Sequence, residues 1–376
     1  MVNQYAQDYA VGSLRRYDAP NARTDGYEGK EEVTTMAPKN ENGKKRIAIG
    51  CQGGGVHSAF GAGALKRLLR EEQHEVVALS GTSGGAICAF LAWYALLESE
   101  GAQAADKAAQ LLDSYWRDNS ANDLYARYLN DWTVWMSRVE GATALVEVSP
   151  YDSPLSSRIR DQLRKTLEEQ AVDFENLEER LDPTSPVLLV SAIDVVSGAA
   201  KNFDSRSGEI SVDALLASTA VPPVFEAAHV DGSVYWDALF CQNPPLREMA
   251  RMKPDEIWVI QVTPWTRGFE PKKVADIIDR RNELSGNVAM SQDVYLIEKI
   301  NELVDALGEG ENKEDKRLRL PREEGKEYRH IEVRVIEMSA EKHQNLDFAS
   351  KIDRRPSFVR ELMDHGEERT EELLQG

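Results

Sequence analysis

Cysteine is scarce in this chain. Cys51, Cys88 and Cys241 are the only ones in 376 residues, and no two form a C-x-x-C pair. That excludes the usual zinc and dithiol redox motifs. An odd, sparse set suits a reducing, cytoplasmic compartment. Each lies beside an apolar or glycine-rich segment, where cysteine acts as a small buried side chain. Long apolar runs are missing too. The longest, Ala86 to Leu97, falls short of the roughly 20 residues of a spanning helix and reads as a core helix. Residues 1–44 are polar, lack the apolar stretch of a secretory signal, and read as a flexible tail. Positive charge is also short. Lys and Arg number 45 against 64 Asp and Glu, a net charge of −19. Phosphate contacts need clustered cations, so nucleic acid is not an expected partner. Such a chain is repelled from anionic membrane surfaces unless a local patch compensates. The acidity fits ordinary solubility, with salt adaptation as the alternative.

What is present is a globular pattern, with 41% hydrophobic residues. Strands are expected at Arg46–Gly50, Val76–Ser80, Val187–Ile193, Ile257–Thr263 and His330–Met338. Helices are expected at Val56–Glu72, Gly84–Ser99, Ala102–Asp118, Ser156–Glu169 and Asp276–Leu307. This alternation predicts an α/β fold, a three-layer sandwich with a mostly parallel sheet covered on both faces. The expected organisation is a tail to residue 44, one domain over 45–345, and a C-terminal helical segment over 346–376 that packs on or extends it. The charged run Gly308–Arg317 reads as a mobile surface loop. The aromatics between Ser114 and Met136 read as packing inward in a helical subdomain; the alternative is a lipid-facing cap.

Two glycine motifs stand at predicted strand ends. The first, Gln52-Gly-Gly-Gly-Val-His-Ser58, follows the first strand. Consecutive glycines at a helix start cost backbone entropy, so something needs the bare backbone. A phosphate loop is one reading, but the Walker lysine is absent and Ser58 stands where a dinucleotide motif has its last glycine. His57 reads as a helix-surface residue, with orienting the loop or touching substrate as the alternative. The second motif, Gly81-Thr-Ser-Gly-Gly85, lies between a strand and the apolar helix. This is G-x-S-x-G in the context of a nucleophile elbow: Gly81 and Gly85 leave room for the reversal, and Ser83 projects its Oγ. The Gly53–Gly55 amides then become candidate donors to an oxyanion formed at Ser83.

A serine nucleophile needs a base. His229, His330, His343 and His365 follow it in the chain, so a Ser-His-Asp arrangement is open. An aspartate acting directly is the other route. Asp231-Gly232 reads as a type I′ hairpin turn. Asp237 follows Val234-Tyr-Trp236 and is expected on a loop leaving the sheet.

These residues carry a resemblance. Gln52–Phe60, Gly81–Gly85, Asp213–Phe225 and Tyr235–Pro244 resemble, in order, the glycine loop, elbow, helix-and-turn and aspartate blocks of the patatin-like phospholipases. The resemblance runs from about Lys45 to Met338. That family consists of lipid acyl hydrolases with a Ser–Asp dyad. The resemblance implies Ser83 as nucleophile, Asp237 as base, Gly53, Gly54 and Gly55 as the oxyanion hole, and Gly81 and Gly85 in the elbow. It implies a lipid or acyl-ester substrate, transient membrane-surface contact, and no metal or cofactor. Two departures stand out: Ala238 follows Asp237 where the family has glycine, and Ser58 replaces the last glycine of the loop. A left-handed backbone at Ala238 would be costly. Weaker catalysis, with the scaffold binding lipid or a protein partner instead, is the alternative that these departures raise.

Overall fold

Short apolar runs form one sheet: β1 (Lys45–Cys51), β2 (His74–Thr82), β3 (Val187–Asp194), β4 (Ala200–Asp204), β5 (Ala228–Val230), β6 (Ser233–Asp237), β7 (Glu256–Gln261) and β8 (Glu332–Glu337). The computed structural model describes residues 43–139, 149–170, 172–222, 224–308, 328–344 and 346–375. The tail through residue 42 and the charged run after Gly308 lie outside the described residues. The strand order is β5-β6-β3-β2-β1-β7-β8, with β4 also paired to β3. β1 pairs in parallel with β2 and β7, β2 with β3, and β7 with β8. The antiparallel pairs are β3–β4, β3–β6 and β5–β6. The central strands are covered on both faces, which is why they read as nearly continuous apolar runs.

The helices are α1 (Ser58–Leu68), α2 (Gly84–Glu98), α3 (Gly101–Asp118), α4 (Leu124–Val139), α5 (Pro154–Glu168), α6 (Val212–Ser218), α7 (Leu246–Ala250), α8 (Val274–Gly308), α9 (Ala340–Gln344) and α10 (Pro356–Gln375). Successive strand residues point to opposite faces. Ile47, Ile49, Trp258 and Ile260 pack with α1, α2 and α10, whereas Ala48, Ile257 and Val259 pack with α7 and α8. The mostly parallel sheet flanked by helices matches the expected fold class. α2 is apolar all round because it is buried from Gly85 to Ala95. α10 lies so close on α1 that a Cβ at Gly63 would stand 1.9 Å from the Met363 carbonyl oxygen.

Three local expectations change. The helix expected from Val56 to Glu72 begins as a 3-10 turn, Gly55–His57, before α1. The aromatic stretch divides: Tyr115 and Trp116 are buried, but Tyr125, Tyr128, Trp132 and Trp135 are exposed. Only its first half packs inward. Asp237 is the last residue of β6 rather than part of a loop. The hairpin before it turns as expected, with φ of 49° at Asp231 and 81° at Gly232.

Candidate active site

One edge of β3 assembles the site. β2 runs parallel along it as far as Thr82, which stands opposite Ser191. The next β3 residue, Ala192, pairs with Asp237 of antiparallel β6. β2 and β6 therefore meet with their carboxyl ends together, although 154 residues separate Ser83 from Asp237 in the sequence. β1 lies on the other side of β2, with Cys51 opposite Gly81. That register carries the glycine loop past Ser83. All three segments leave at the carboxyl edge, where α/β folds place their sites.

Ser83 has φ of +58° and ψ of −133°, the strained turn of an elbow. The strain is held from outside. Its N–H donates to Ser218 Oγ at 2.9 Å, and the Thr82 hydroxyl donates to the Gln242 carbonyl at 2.7 Å. A Cβ at Gly85 would lie 2.4 Å from the Cys51 carbonyl oxygen, and one at Gly81 would lie 2.5 Å from that of Gly85. Both elbow glycines are therefore places of backbone contact. Ser83 is 7% exposed and Asp237 wholly buried. Burial pushes the Asp237 carboxyl up to about 7, against the smaller opposing effects of the Ser83 hydroxyl and the Leu239 N–H. That N–H donates to Oδ1 at 2.8 Å, while Oδ2 accepts no bond of full geometry among the described residues. Such contacts commonly tighten only when substrate binds.

The run of glycines has a steric reason. A Cβ on Gly53 would stand 2.7 Å from Ser83 Cβ, and one on Gly54 would stand 2.8 Å from Val262 Cγ2. Gly55 has φ of +60° and faces the Lys351 carbonyl oxygen. The three are not equivalent as donors. The Gly53 N–H, expected to face an oxyanion, donates instead to Asn243 Oδ1 at 2.7 Å, and Asn243 Nδ2 returns a bond to the Gly53 carbonyl at 3.3 Å. The amides of Gly54 and Gly55 have no acceptor among the described residues.

A buried amide network holds this loop. Gln52 Oε1 accepts from the N–H groups of Val262 and Thr263 at 2.9 and 2.8 Å, and Gln52 Nε2 donates to Asn287 Oδ1 at 3.0 Å. Asn287 comes from α8, far along the chain, and is wholly buried. From the sequence, Arg280–Asn287 reads equally as lining the site or as a solvated helix face, and the docking of α8 puts Asn287 inside. The bond from the Ser83 N–H to Ser218 carried no signal in the sequence.

The two departures become interpretable. Ala238 is buried and does not have a positive φ, so the feared left-handed cost is not incurred. Ser58 is buried at the start of α1 beside Gly84, with its hydroxyl unpartnered. His57 is not on the helix surface. It is buried, with Nε2 2.8 Å from Ser350 Oγ. Burial and then Lys351 lower its pKa to about 3. The later histidines lie elsewhere. His229 is exposed on β5 and His330 pairs with Asp305. His365 Nε2 accepts the Ser339 N–H, and burial lowers His343 to about 4. Cys51 and Cys88 are buried, as expected; Cys241 is partly exposed.

A strained serine at a strand-to-helix turn on the carboxyl edge of a mostly parallel sheet defines the class as an α/β protein with the geometry of a nucleophile elbow. The sequence profile of the patatin-like phospholipases matches residues 51–250, over half of the chain. The chain belongs to that family of ester-bond hydrolases. VipD from Legionella pneumophila superposes with a TM-score of 0.40 and 12% identity, covering 89% of this chain and 67% of that one. Human GIVD cytosolic phospholipase A2, solved with methyl gamma-linolenyl fluorophosphonate, gives 0.40 and 11%, covering 89% and 58%. The ExoU–SpcU complex of Pseudomonas aeruginosa gives 0.29 and 14%, covering 97% and 62%. The chain thus spans 58% to 67% of the length of these solved chains. Comparison with curated protein sequences gave no match.

Proposed function

We propose that the chain is a serine lipid acyl hydrolase working through a Ser83–Asp237 dyad. The observation that carries this reading is the end-to-end meeting of β2 and β6 along β3, which brings a strained serine to a buried carboxyl. Asp237 takes the Ser83 proton as Oγ attacks the ester carbonyl carbon. The Gly54 and Gly55 amides receive the oxyanion, while Gly53, locked by Asn243, serves as the floor against Ser83. Protonated Asp237 then gives its proton to the departing alcohol. Water attacks the acyl-serine with Asp237 again as base, releasing the fatty acid and restoring Ser83. A carboxyl at about 7 is poised for both duties near neutral pH.

Labelling with a fluorescent fluorophosphonate tests the assignment. Wild type is expected to label at Ser83, Ser83→Ala not at all, and Asp237→Asn at least about a hundredfold more slowly. Folded wild type that stays unlabelled, or Ser83→Ala that labels normally, removes Ser83 as the nucleophile. Fatty-acid release from vesicles of phospholipid and from neutral lipid would then identify the ester cleaved.

A further inference from the structure

Helix α4 is inside out for a soluble protein. Its inward face carries Asn130 and Val134, both buried. Its outward face carries Tyr125, Tyr128, Trp132 and Trp135, which are 72%, 66%, 51% and 56% exposed. These aromatics follow a three- and four-residue spacing, so they form one stripe on the side opposite Asn130. Leu124 and Leu129 widen it, and both are exposed. Surface helices of globular domains put such residues toward the core, and an apolar stripe left in water marks an interaction surface.

The helix is tied to the candidate active site. Asn130 Nδ2 donates to Asp353 Oδ1 at 3.2 Å, and Asn130 Oδ1 accepts the Arg354 N–H at 2.8 Å. These residues continue the 3-10 turn Ala349–Ile352, whose Lys351 carbonyl oxygen packs on Gly55. One buried side chain thus links the aromatic helix to the segment backing the glycine loop.

We propose that the exposed face of α4 is a docking surface for a zwitterionic phospholipid bilayer, seating the mouth of the site at the lipid–water boundary. The inference rests on the lipid hydrolase reading for its biological sense. Tyrosine and tryptophan combine an apolar ring with a polar tip, the chemistry of the headgroup level. Charge narrows the lipid. A chain of net charge −19 gains nothing from an anionic surface, so attachment is by ring insertion into a neutral one. Among the described residues no helix is long and apolar enough to cross a membrane, and the proposed contact lies on the surface.

The test uses the full chain with phosphatidylcholine vesicles, read by co-sedimentation and tryptophan emission. A water-soluble short-chain nitrophenyl ester and a melting curve report the site and the fold. Native protein and Ser83→Ala are expected to bind equally, with a blue shift and little salt dependence. The double variant Trp132→Ser/Trp135→Ser should bind at least about tenfold more weakly, and Tyr125→Ser/Tyr128→Ser should weaken it in the same direction. Vesicle lipid hydrolysis should fall with binding while soluble-ester hydrolysis stays unchanged. Native protein that cleaves the soluble ester yet ignores the vesicles overturns the docking proposal and leaves the hydrolase reading standing. Tryptophan-dependent binding without cleavage of either substrate upholds docking and overturns the hydrolase reading. Substitutions that split a dimer but leave vesicle binding intact assign the face to a second copy of the chain and overturn the proposal.

Discussion

Asp237 is where burial and chemistry conflict. An ordinary aspartate titrates near 3.8, and burial moves this one to about 7. The folded state holds this proton more tightly, so the contribution of Asp237 to stability is greatest below pH 4 and declines as pH rises toward 7. The full decline is on the order of 4 kcal/mol. Asp237→Asn removes the buried charge. Its melting temperature should therefore exceed that of wild type by several degrees at pH 8 and match it at pH 4. With Asp237 as the proposed base, activity should run the other way, because a base must be ionised. kcat/KM on a soluble ester should rise with pH through about 7 and level off above it. A profile flat from pH 5 to 9 would remove Asp237 as the base. The motifs single out Ser83 and Asp237 as candidates, and partial desolvation of Asp237 is expected from the sequence to raise its pKa. The size of the shift was not legible, because it depends on what covers β6.

At the scale of elements, α1 and α10 depend on bare backbone at their crossing. A Cβ on Gly366 would stand 2.0 Å from the Phe60 carbonyl oxygen, and Gly63 is equally tight against Met363. Neither neighbour can give way, since both are helix backbone. Gly63→Ala or Gly366→Ala should destabilise by about 2–4 kcal/mol in urea unfolding. Gly61 offers the contrast on the same helix. Its nearest obstacle would be Ile260 Cγ2 at 3.6 Å, an ordinary contact. Gly61→Ala should be neutral or stabilising by up to about 1 kcal/mol, through helix propensity. Helix periodicity announced α1 from the sequence. It could not tell which of its glycines face another helix, because that follows from the docking of a segment some 300 residues away.

Across the whole molecule, a buried charge cluster ties distant segments together. Lys351 Nζ lies 2.7 Å from Asp279 and 2.8 Å from Glu283, and Arg267 reaches the same two carboxylates at 2.6 and 2.8 Å. Burial alone would raise Glu283, but Lys351 and Arg267 overrule it and hold it at about 2. A lowered carboxyl contributes stability above about pH 4.5 that is lost as pH falls toward 2. Lys351→Met leaves the two buried acids to Arg267 and, at Glu283, to Arg280 at 3.2 Å, with Asp279 losing one of its two cations, so it should cost about 3 kcal/mol at pH 7 in urea unfolding. The loss should narrow as the pH approaches 3. Because the Lys351 carbonyl packs on Gly55, fluorophosphonate labelling should slow in the same variant. Unchanged stability at pH 7 would show that the cluster is not a structural tie.

The sequence by itself determined the alternation of strands and helices, the tight turn at Ser83 and the glycine loop, and it singled out Asp237 as a candidate. Each is a local pattern, set by side-chain period or by a turn that tolerates few residues. Tertiary structure decided the rest. Asn243 occupies the Gly53 amide, and Asn287 and Ser218 hold the loop and elbow through contacts between segments far apart in the chain. His57 is inside because the turn at Ala349–Ile352 covers it, and the α4 aromatics are outside because Asn130 is the side that docks. A single chain's periodicity gives the faces of a helix. Which face meets the protein depends on its neighbours, and those are chosen by packing.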